Sequence, residues 1–137
     1  MIGIDIVDNA VKDSRSKTKF PVIKMNAHVT DFTESAFDVI VASHVVEHSP
    51  FPKVILREMK RICKHNGLIF IEIPIEPVMS APGGGHFSHW PEKEEFRNLV
   101  LSEKVEIVKD YMGYSTVDGR EVEGKGNHYI IICRVIK

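Results

Sequence analysis

Three side chains that can take part in proton transfer follow one apolar segment. The segment Phe37–Ser43 leads directly to His44, and Glu47 and His48 come soon after. Imidazole and carboxylate groups are common general bases, and a base is needed only when the reacting group must lose a proton. Glu47 and His48 also begin the connection to the next helix, where capping or packing competes with catalysis. We predict His48 and Glu47 as the catalytic candidates.

A second pair of histidines raises the alternative of a metal site. His86 and His89 are three residues apart, and His44 and His48 are four apart. Four imidazoles could converge on a transition metal if both segments reach the same face of the protein. No cysteine joins them, and the sequence has no His-Glu-x-x-His motif. Because isolated histidines are usually surface or hydrogen-bonded core groups, we predict no metal site, and a histidine-cluster metal protein stays the alternative.

The composition fits one small globular domain. The chain has 137 residues, of which 43% are apolar and 27% charged. Its 18 Lys and Arg nearly balance its 19 Asp and Glu, which leaves a formal net charge of −1. There is no basic field to hold a phosphate backbone, so a nucleic-acid partner is not expected. We predict a single domain over residues 1–137.

The lengths of the apolar segments and the positions of the cysteines predict where in the cell the protein is found. Apolar runs such as residues 68–71 are far shorter than the ~18 residues that a membrane span needs, so no membrane partner is expected. Cys63 and Cys133 lie within apolar periodic segments and form no Cys-x-x-Cys pair. We predict that both are reduced core residues of a cytoplasmic protein.

The elements that must position these groups alternate between strands and helices. Four consecutive apolar residues in Phe37–Ser43 favour a strand covered on both faces, as in a parallel sheet. Ile55, Met59, Ile62 and Cys63 form the apolar stripe of an amphipathic helix. Strands are predicted over residues 1–7, 20–27, 37–43, 68–73, 104–112 and 127–136, and helices over 10–17, 50–65 and 91–102. This order predicts an α/β fold with parallel strands and an antiparallel pair at the C-terminal end.

Polar residues, proline and glycine mark the expected boundaries of these elements. Asp8 or Asn9 could cap the first helix, and the pair at 66–67, Asn-Gly, is predicted to end the second. Pro91 suits the first position of the third helix. The glycines at 83–85 are interpreted as a flexible lid or a plain loop. The stretch 113–126 is predicted as a long loop between the last two strands.

The middle of the chain resembles a known family. The run FDVIVASHVVEH, a helix ending REMKRICKHNG and the strand LIFIEIP are similar to the central part of class I S-adenosylmethionine-dependent methyltransferases. GIDIV near the start resembles the family's second strand, and MNAHVTDF resembles its third strand and the turn beside adenine. HFSHWPEKEEF with the following helix and strands is similar to the small-molecule branch. The resemblance covers nearly the whole chain.

The resemblance implies a cofactor, an acceptor and the residues that hold them. It implies a Rossmann-like, mostly parallel sheet with S-adenosylmethionine across the strand ends and a small-molecule acceptor. The aspartate closing the second strand would accept hydrogen bonds from both ribose hydroxyls. The implied cofactor residues are Asp5, Ile6, Asn26, Ala27, Ser43 and His44, and the implied acceptor residues are His86, His89 and Trp90. Asn26 stands where the family commonly has an Asp that binds the adenine amino group.

One expected part of the family fold is absent from the sequence. The family's first strand and its glycine-rich turn have no counterpart, and no Gly-x-Gly-x-Gly occurs. In the family order 3-2-1-4-5-7-6, that strand would lie between the GIDIV and FDVIVAS strands. Three solutions are open: direct pairing of those two strands, a strand from a second chain, or a sequence that is a fragment. We therefore expect an N-terminally truncated fold with weak cofactor binding.

Two functions follow from these observations. The leading hypothesis is an S-adenosylmethionine-dependent methyltransferase that acts on an unidentified small molecule. The alternative is a non-catalytic methyltransferase-fold module for binding or assembly, which could form a homo-oligomer through exposed sheet edges.

Overall fold

A computed structural model describes residues 1–75, 85–115, 121–123 and 126–137, without the side chains of 114, 115 and 121–123. The chain divides into two compact units, residues 1–33 and 34–137. The prediction of one domain over residues 1–137 stays a prediction. None of the described helices is long and apolar enough to cross a membrane.

The first unit is a small strand-helix-strand element. It contains β1 (Gly3–Asp5), α1 (Asp8–Lys17) and β2 (Val22–Lys24), and the two strands pair in parallel. The predicted cap is wrong, because the residue before the helix is Val7 and no side chain caps the helix. Asp8 lies in the first turn, and its carboxylate pairs with Lys24 at 2.7 Å. The Asp8 carboxylate is therefore paired with a side chain of β2 and does not cap the backbone at the start of α1.

The second unit is a five-stranded mixed sheet with helices. Its elements are β3 (Phe37–Ser43), a 3-10 helix (Val46–His48), α2 (Pro52–Ile62), β4 (Cys63–Pro74), α3 (Lys93–Leu101), β5 (Val105–Ser115), β6 (Glu121–Glu123) and β7 (His128–Val135). The strand order is β3-β4-β7-β5-β6. β3 and β4 are parallel, whereas β7 runs antiparallel to both of its neighbours. The α/β fold class and the antiparallel C-terminal strands are confirmed, and the order of β3, β4, β7 and β5 is the expected 4-5-7-6.

The core of this unit is built where helix stripes meet the sheet. The predicted stripe of α2 is buried, with Ile55, Met59 and Ile62 each at most 6% exposed. Phe96 and Val100 are the buried residues of α3. Burial of such side chains contributes about 1.5–3 kcal/mol each and is the main force that fixes these helices.

The end of α2 differs from the prediction. The helix stops at Ile62, and β4 begins at Cys63 without an intervening loop. Asn66 and Gly67 lie inside β4, where Asn66 has a φ of 62° and the pairing with β3 shifts register. The Asn-Gly pair therefore makes an irregularity within the strand instead of a helix end. The third helix also begins later than predicted, at Lys93, so Pro91 precedes it.

β3 is less covered than the sequence suggested. Val39 and Val41 are 58% and 67% exposed, so the expectation of a strand buried on both faces is wrong. Direct pairing of the first strand with β3 is not found among the described residues, where β1 and β2 form a sheet of their own. Within the described part of the chain, β3 has a partner strand, β4, on one edge only.

The predicted loop over residues 113–126 contains regular structure. β5 continues to Ser115, and β6 pairs with its last three residues in antiparallel register. Residues 113–115 and 121–123 of the predicted loop therefore belong to paired strands. Of the glycines at 83–85, only Gly85 lies within the described residues, so the lid interpretation falls outside them.

Candidate functional site

The carboxyl end of β3 and its neighbours form a hydrogen-bonded polar cluster around Glu72. The hydroxyl of Ser43 donates to Glu72 Oε2 at 2.7 Å, and Nδ1 of His128 lies 3.0 Å from Glu72 Oε1. The backbone N–H of His44 donates to the carbonyl of Glu72 at 3.0 Å. Glu72 is only 2% exposed. The contacts with Ser43 and His128 therefore satisfy both of its carboxylate oxygens inside the protein.

His44 joins this cluster to the next one along the chain. It follows β3 with a φ of 53°, a left-handed conformation that costs a non-glycine residue free energy. Its ring lies 4.6 Å from that of His128 in an edge-on arrangement. Its Nδ1 lies 3.0 Å from Oε1 of Glu47. Glu47 is fully buried, and its Oε2 has no hydrogen-bond partner among the described residues.

The 3-10 helix and the segment from Gly85 onward form the second cluster. Nδ1 of His48 lies 2.9 Å from the carbonyl oxygen of Gly85, and the rings of His48 and His86 are 4.9 Å apart. The backbone N–H groups of Phe87 and Ser88 both donate to the carbonyl of Glu47, at 2.9 and 3.1 Å. The predicted pair Glu47 and His48 is thus brought next to the predicted His86.

Trp90 and His89 are placed differently from His86. Trp90 is 7% exposed, and its ring packs edge-on against Phe96 at 4.6 Å. An indole in this position contributes to the core and offers little surface to an acceptor. His89 is half-buried, and it is not one of the grouped histidines described above.

The predicted cofactor residues of the first unit are Asp5, Ile6, Asn26 and Ala27. Oδ1 of Asp5 accepts the backbone N–H of Val7 at 2.8 Å, which fixes the carboxylate at the end of β1. Ile6 is 58% exposed. Oδ1 of Asn26 accepts the backbone N–H of His28 at 2.9 Å and lies 2.8 Å from its Nδ1. Both lone pairs of that amide oxygen are therefore used within the turn.

Comparison with known proteins decides the family. The model of the family described as "Methyltransferase domain" matches residues 1–71, which is more than half of the chain. The chain belongs to the methyltransferase-domain family. The resemblance to class I methyltransferases is confirmed. A search of curated proteins found no match.

Solved structures show the same fold at low sequence identity. A S-adenosylmethionine-dependent methyltransferase from Methanosarcina mazei has a TM-score of 0.72 and 16% identity, covering 98% of this chain and 81% of that one. One from Thermotoga maritima has a TM-score of 0.76 and 18% identity, covering 97% and 72%. One from Archaeoglobus fulgidus has a TM-score of 0.75 and 17% identity, covering 97% and 75%. These similarities support the methyltransferase fold of the chain.

Two members of the polar clusters of this methyltransferase-family chain were missed in the sequence. Glu72 could have been recognised as a candidate site residue, because it is the one acid in the otherwise apolar strand LIFIEI. His128 carried no such signal. It reaches Glu72 because β7 pairs antiparallel with β4, with Pro74 opposite His128. Only the register of two strands far apart in sequence reveals this contact.

The two cysteines lie in the core, apart from these polar clusters. Both are free and buried, as predicted. Burial raises the pKa of the Cys63 thiol, and it raises the pKa of Cys133 to about 12. A thiol with so high a pKa is a poor nucleophile near neutral pH, so neither cysteine is a candidate for the chemistry.

Proposed function

We propose that this chain binds S-adenosylmethionine and transfers its methyl group to a small polar acceptor. The observation that carries the proposal is the family match over residues 1–71, supported by the sheet order of the second unit. When bound, the cofactor supplies an electrophilic methyl carbon on a positively charged sulfur. Such a transfer needs the acceptor and the methyl group to be held in line, so positioning supplies most of the acceleration.

Asp5 is the proposed ribose ligand. Its Oδ1 is held by the N–H of Val7, while Oδ2 makes no hydrogen bond among residues 1–33. A carboxylate fixed through one oxygen is already oriented before the sugar arrives, and the other oxygen can accept a hydroxyl. These features fit a ribose. Ile6 follows directly and is exposed, so its apolar side chain is available to the cofactor.

Ala27 is the proposed adenine contact. Its backbone N–H makes no hydrogen bond within the described residues, so it can donate to a ring nitrogen. The amide oxygen of Asn26 was expected to accept the adenine amino group, but it is occupied by His28. The Nδ2 group of Asn26 is a donor and suits a ring nitrogen better than an amine. We therefore assign the main adenine role to the backbone of Ala27.

The remaining proposed contacts lie in the second unit. Ser43 ends β3 and His44 follows it, at the edge where open α/β sheets bind ligands, and the family resemblance assigns both residues to the cofactor. His86 and His89 are proposed for the acceptor. Glu47 is fully buried, so its role is to position His44 and the neighbouring segment, not to touch an acceptor. His48 is exposed and stays the candidate for contact with the acceptor.

The alternative of a non-catalytic assembly module is favoured by one observation. β3 exposes Val39 and Val41 and has a partner strand on one edge only among the described residues. Unpaired edges with apolar side chains favour pairing with another chain. Sedimentation equilibrium tests this alternative, since a clean monomer at high concentration would remove self-association through β3.

Methyl transfer itself is tested with cofactor carrying a radiolabelled methyl group. The purified chain is incubated with this cofactor and a panel of small amines, phenols and carboxylic acids. Label transferred to one acceptor class, and lost when excess demethylated cofactor is added, supports the proposal. Tight cofactor binding without transfer to any acceptor would favour the non-catalytic module.

A further inference from the structure

We propose that Glu47, His48 and His86 form a binding site for a divalent transition-metal ion of the Zn²⁺ type. Each of the three residues offers one ligand atom, and these atoms all lie within 4.8 Å of one another. Zn²⁺ binds histidine nitrogen and carboxylate oxygen at about 2.0–2.2 Å, so binding one ion would draw the three ligand atoms closer together. From the sequence, four imidazoles are considered and no metal site is predicted, whereas the structure groups two of those histidines with Glu47.

The unsatisfied oxygen of Glu47 is the observation that points to a cation. Glu47 is fully buried, and its Oε2 has no hydrogen-bond partner among the described residues. A buried polar atom left in this state destabilises the folded protein, and more so when it is charged. A metal ion would bind that oxygen directly.

Comparison with Glu72 and Glu103 shows why Glu47 is the favoured one. Glu72 has both oxygens hydrogen-bonded, to Ser43 and His128, so its own histidine cluster needs no ion. Glu103 also has one buried oxygen without a partner, but Arg57 lies 3.0 Å from its other oxygen. Glu47 has only the His44 ring as a partner for its side chain in the described part of the chain.

His48 is arranged as metal-binding histidines usually are. Its Nδ1 lies 2.9 Å from the carbonyl oxygen of Gly85. A carbonyl can only accept, so this hydrogen bond needs the proton on Nδ1, which in the neutral tautomer leaves the lone pair on Nε2. Histidine ligands in metal sites almost always donate their other ring N–H to a carbonyl or carboxylate in this way.

The position of His86 beside Glu47 is fixed by the backbone. Phe87 and Ser88 donate their N–H groups to the carbonyl of Glu47, and the hydroxyl of Ser88 donates to the carbonyl of Ser49 at 2.7 Å. Three hydrogen bonds thus hold the residues after His86 against the 3-10 helix. A ligand set held in place before the metal arrives binds with less loss of entropy.

The chemistry of this donor set leaves room for an acceptor. Two histidines and one carboxylate are typical of catalytic zinc sites, in which the remaining coordination position takes water or substrate. A metal lowers the pKa of an oxygen bound there and so favours loss of its proton. This consequence rests on the proposed methyltransferase function, and it predicts acceptors with a metal-binding hydroxyl. Metal binding itself does not depend on that function.

Metal binding is measured on the full chain, purified without a histidine tag and stripped with a chelator. Zn²⁺ is titrated by calorimetry, and Co²⁺ is titrated by its visible absorption, which reports nitrogen and oxygen ligands directly. We expect about one equivalent of bound metal, with affinity reduced by about tenfold or more in His86→Ala and in Glu47→Gln. His86→Ala is included because it changes a residue outside the buried interior, and circular dichroism checks the fold of both variants.

Two control variants make the result specific. His65→Ala changes a surface histidine of β4 and should leave the affinity unchanged. His128→Ala removes a histidine from the Glu72 cluster and should also leave it unchanged. Absence of stoichiometric binding to folded wild-type protein overturns the site. Binding that is lost in His128→Ala but kept in His86→Ala and Glu47→Gln also overturns it, in favour of the Glu72 cluster.

The same samples are titrated with S-adenosylhomocysteine, so the two proposals can fail separately. Cofactor-product binding without metal binding would reject only the metal site. Metal binding without cofactor-product binding would reject the proposed function and leave the metal site standing.

Discussion

Nδ1 of His44 lies 3.0 Å from Oε1 of Glu47, and this contact joins two polar clusters into one network. On one side, the His44 ring packs against His128, which is bound to Glu72. On the other side, the peptide carbonyl of Glu47 holds the segment that carries His86. A change at Glu47 is therefore expected to affect both clusters, because one buried side chain links them.

The ribose role of Asp5 predicts a loss of cofactor affinity in Asp5→Asn. The amide keeps an oxygen that can accept the N–H of Val7, so the turn is retained, but the charge that strengthens a hydrogen bond to a hydroxyl is lost. Binding of S-adenosylhomocysteine should weaken by about tenfold, which corresponds to about 1.4 kcal/mol. Calorimetric titration measures the change.

Asp13→Asn is the matched control for this variant. Asp13 is an exposed acid on α1 that pairs with Lys17, and exposed pairs of this kind contribute little. An equal loss of affinity in Asp13→Asn would show that net charge, and not the position of Asp5, determines binding.

The strand irregularity in β4 predicts that Gly67→Ala destabilises the protein. A Cβ at this position would lie 2.7 Å from Sγ of Cys63 and 2.9 Å from the carbonyl oxygen of Asp38. Because one of these atoms is backbone, the strand must shift, and overpacking of this kind costs about 1–3 kcal/mol. The free energy of unfolding from urea titration should fall by that amount.

Gly3→Ala gives the comparison for this substitution. Its added Cβ would meet only side-chain atoms of Phe20 and Val22, at 3.3 Å or more. We expect a smaller effect than at Gly67. Equal effects at both positions would mean that the close approach in β4 does not set the cost.

The buried phenol of Tyr129 predicts a pH-dependent stability. Its hydroxyl donates to Oδ2 of Asp110, which also lies 3.2 Å from Nε of Arg97. Burial and, next, the hydrogen bond to Asp110 raise the pKa of Tyr129 above its ordinary value. A raised pKa means that the unfolded chain loses this proton first, so the contribution is complete below about pH 10 and declines above it.

Tyr129→Phe separates this contribution from the other groups that titrate in alkali. At neutral pH the variant should lose about 1.5–3 kcal/mol of unfolding free energy, because the hydrogen bond to a charged partner is removed. Its stability should then fall less steeply than that of the wild type as the pH rises above about 10. Parallel declines in the two proteins would contradict the assignment to Tyr129.

The buried cysteines predict slow thiol labelling. Cys63 and Cys133 are 0% and 1% exposed, and burial raises the pKa of both thiols. A disulfide reagent at about pH 8 should therefore label neither residue in the folded protein and both after unfolding in urea. Rapid labelling of one thiol in native protein would show that the core around it opens readily.

Much of the fold could be predicted because its signals are local. The bounds of β3 and the buried stripe of α2 follow from apolar runs and periodicity within a few residues. The end of α2 was misplaced because an Asn-Gly pair is also suited to a strand irregularity. What decides between the two is the pairing of β4 with β3, which the local sequence does not contain.

The candidate site was predicted only where its residues are close in sequence. His44, Glu47 and His48 follow one strand and were found directly. The contact of His128 with Glu72 depends on the register of β7 against β4, and that of His86 with Glu47 depends on backbone hydrogen bonds after a long connection. Spacing in the sequence gives no access to such contacts, so the proposed grouping of Glu47 with His48 and His86 could not be derived from it.

The most direct test of the central claim is calorimetric titration of the wild-type chain with S-adenosylhomocysteine, the demethylated cofactor. The account predicts saturable binding of one molecule per chain, accompanied by a higher melting temperature in the presence of the ligand. No heat of binding and no change in melting temperature at about 1 mM ligand would contradict it.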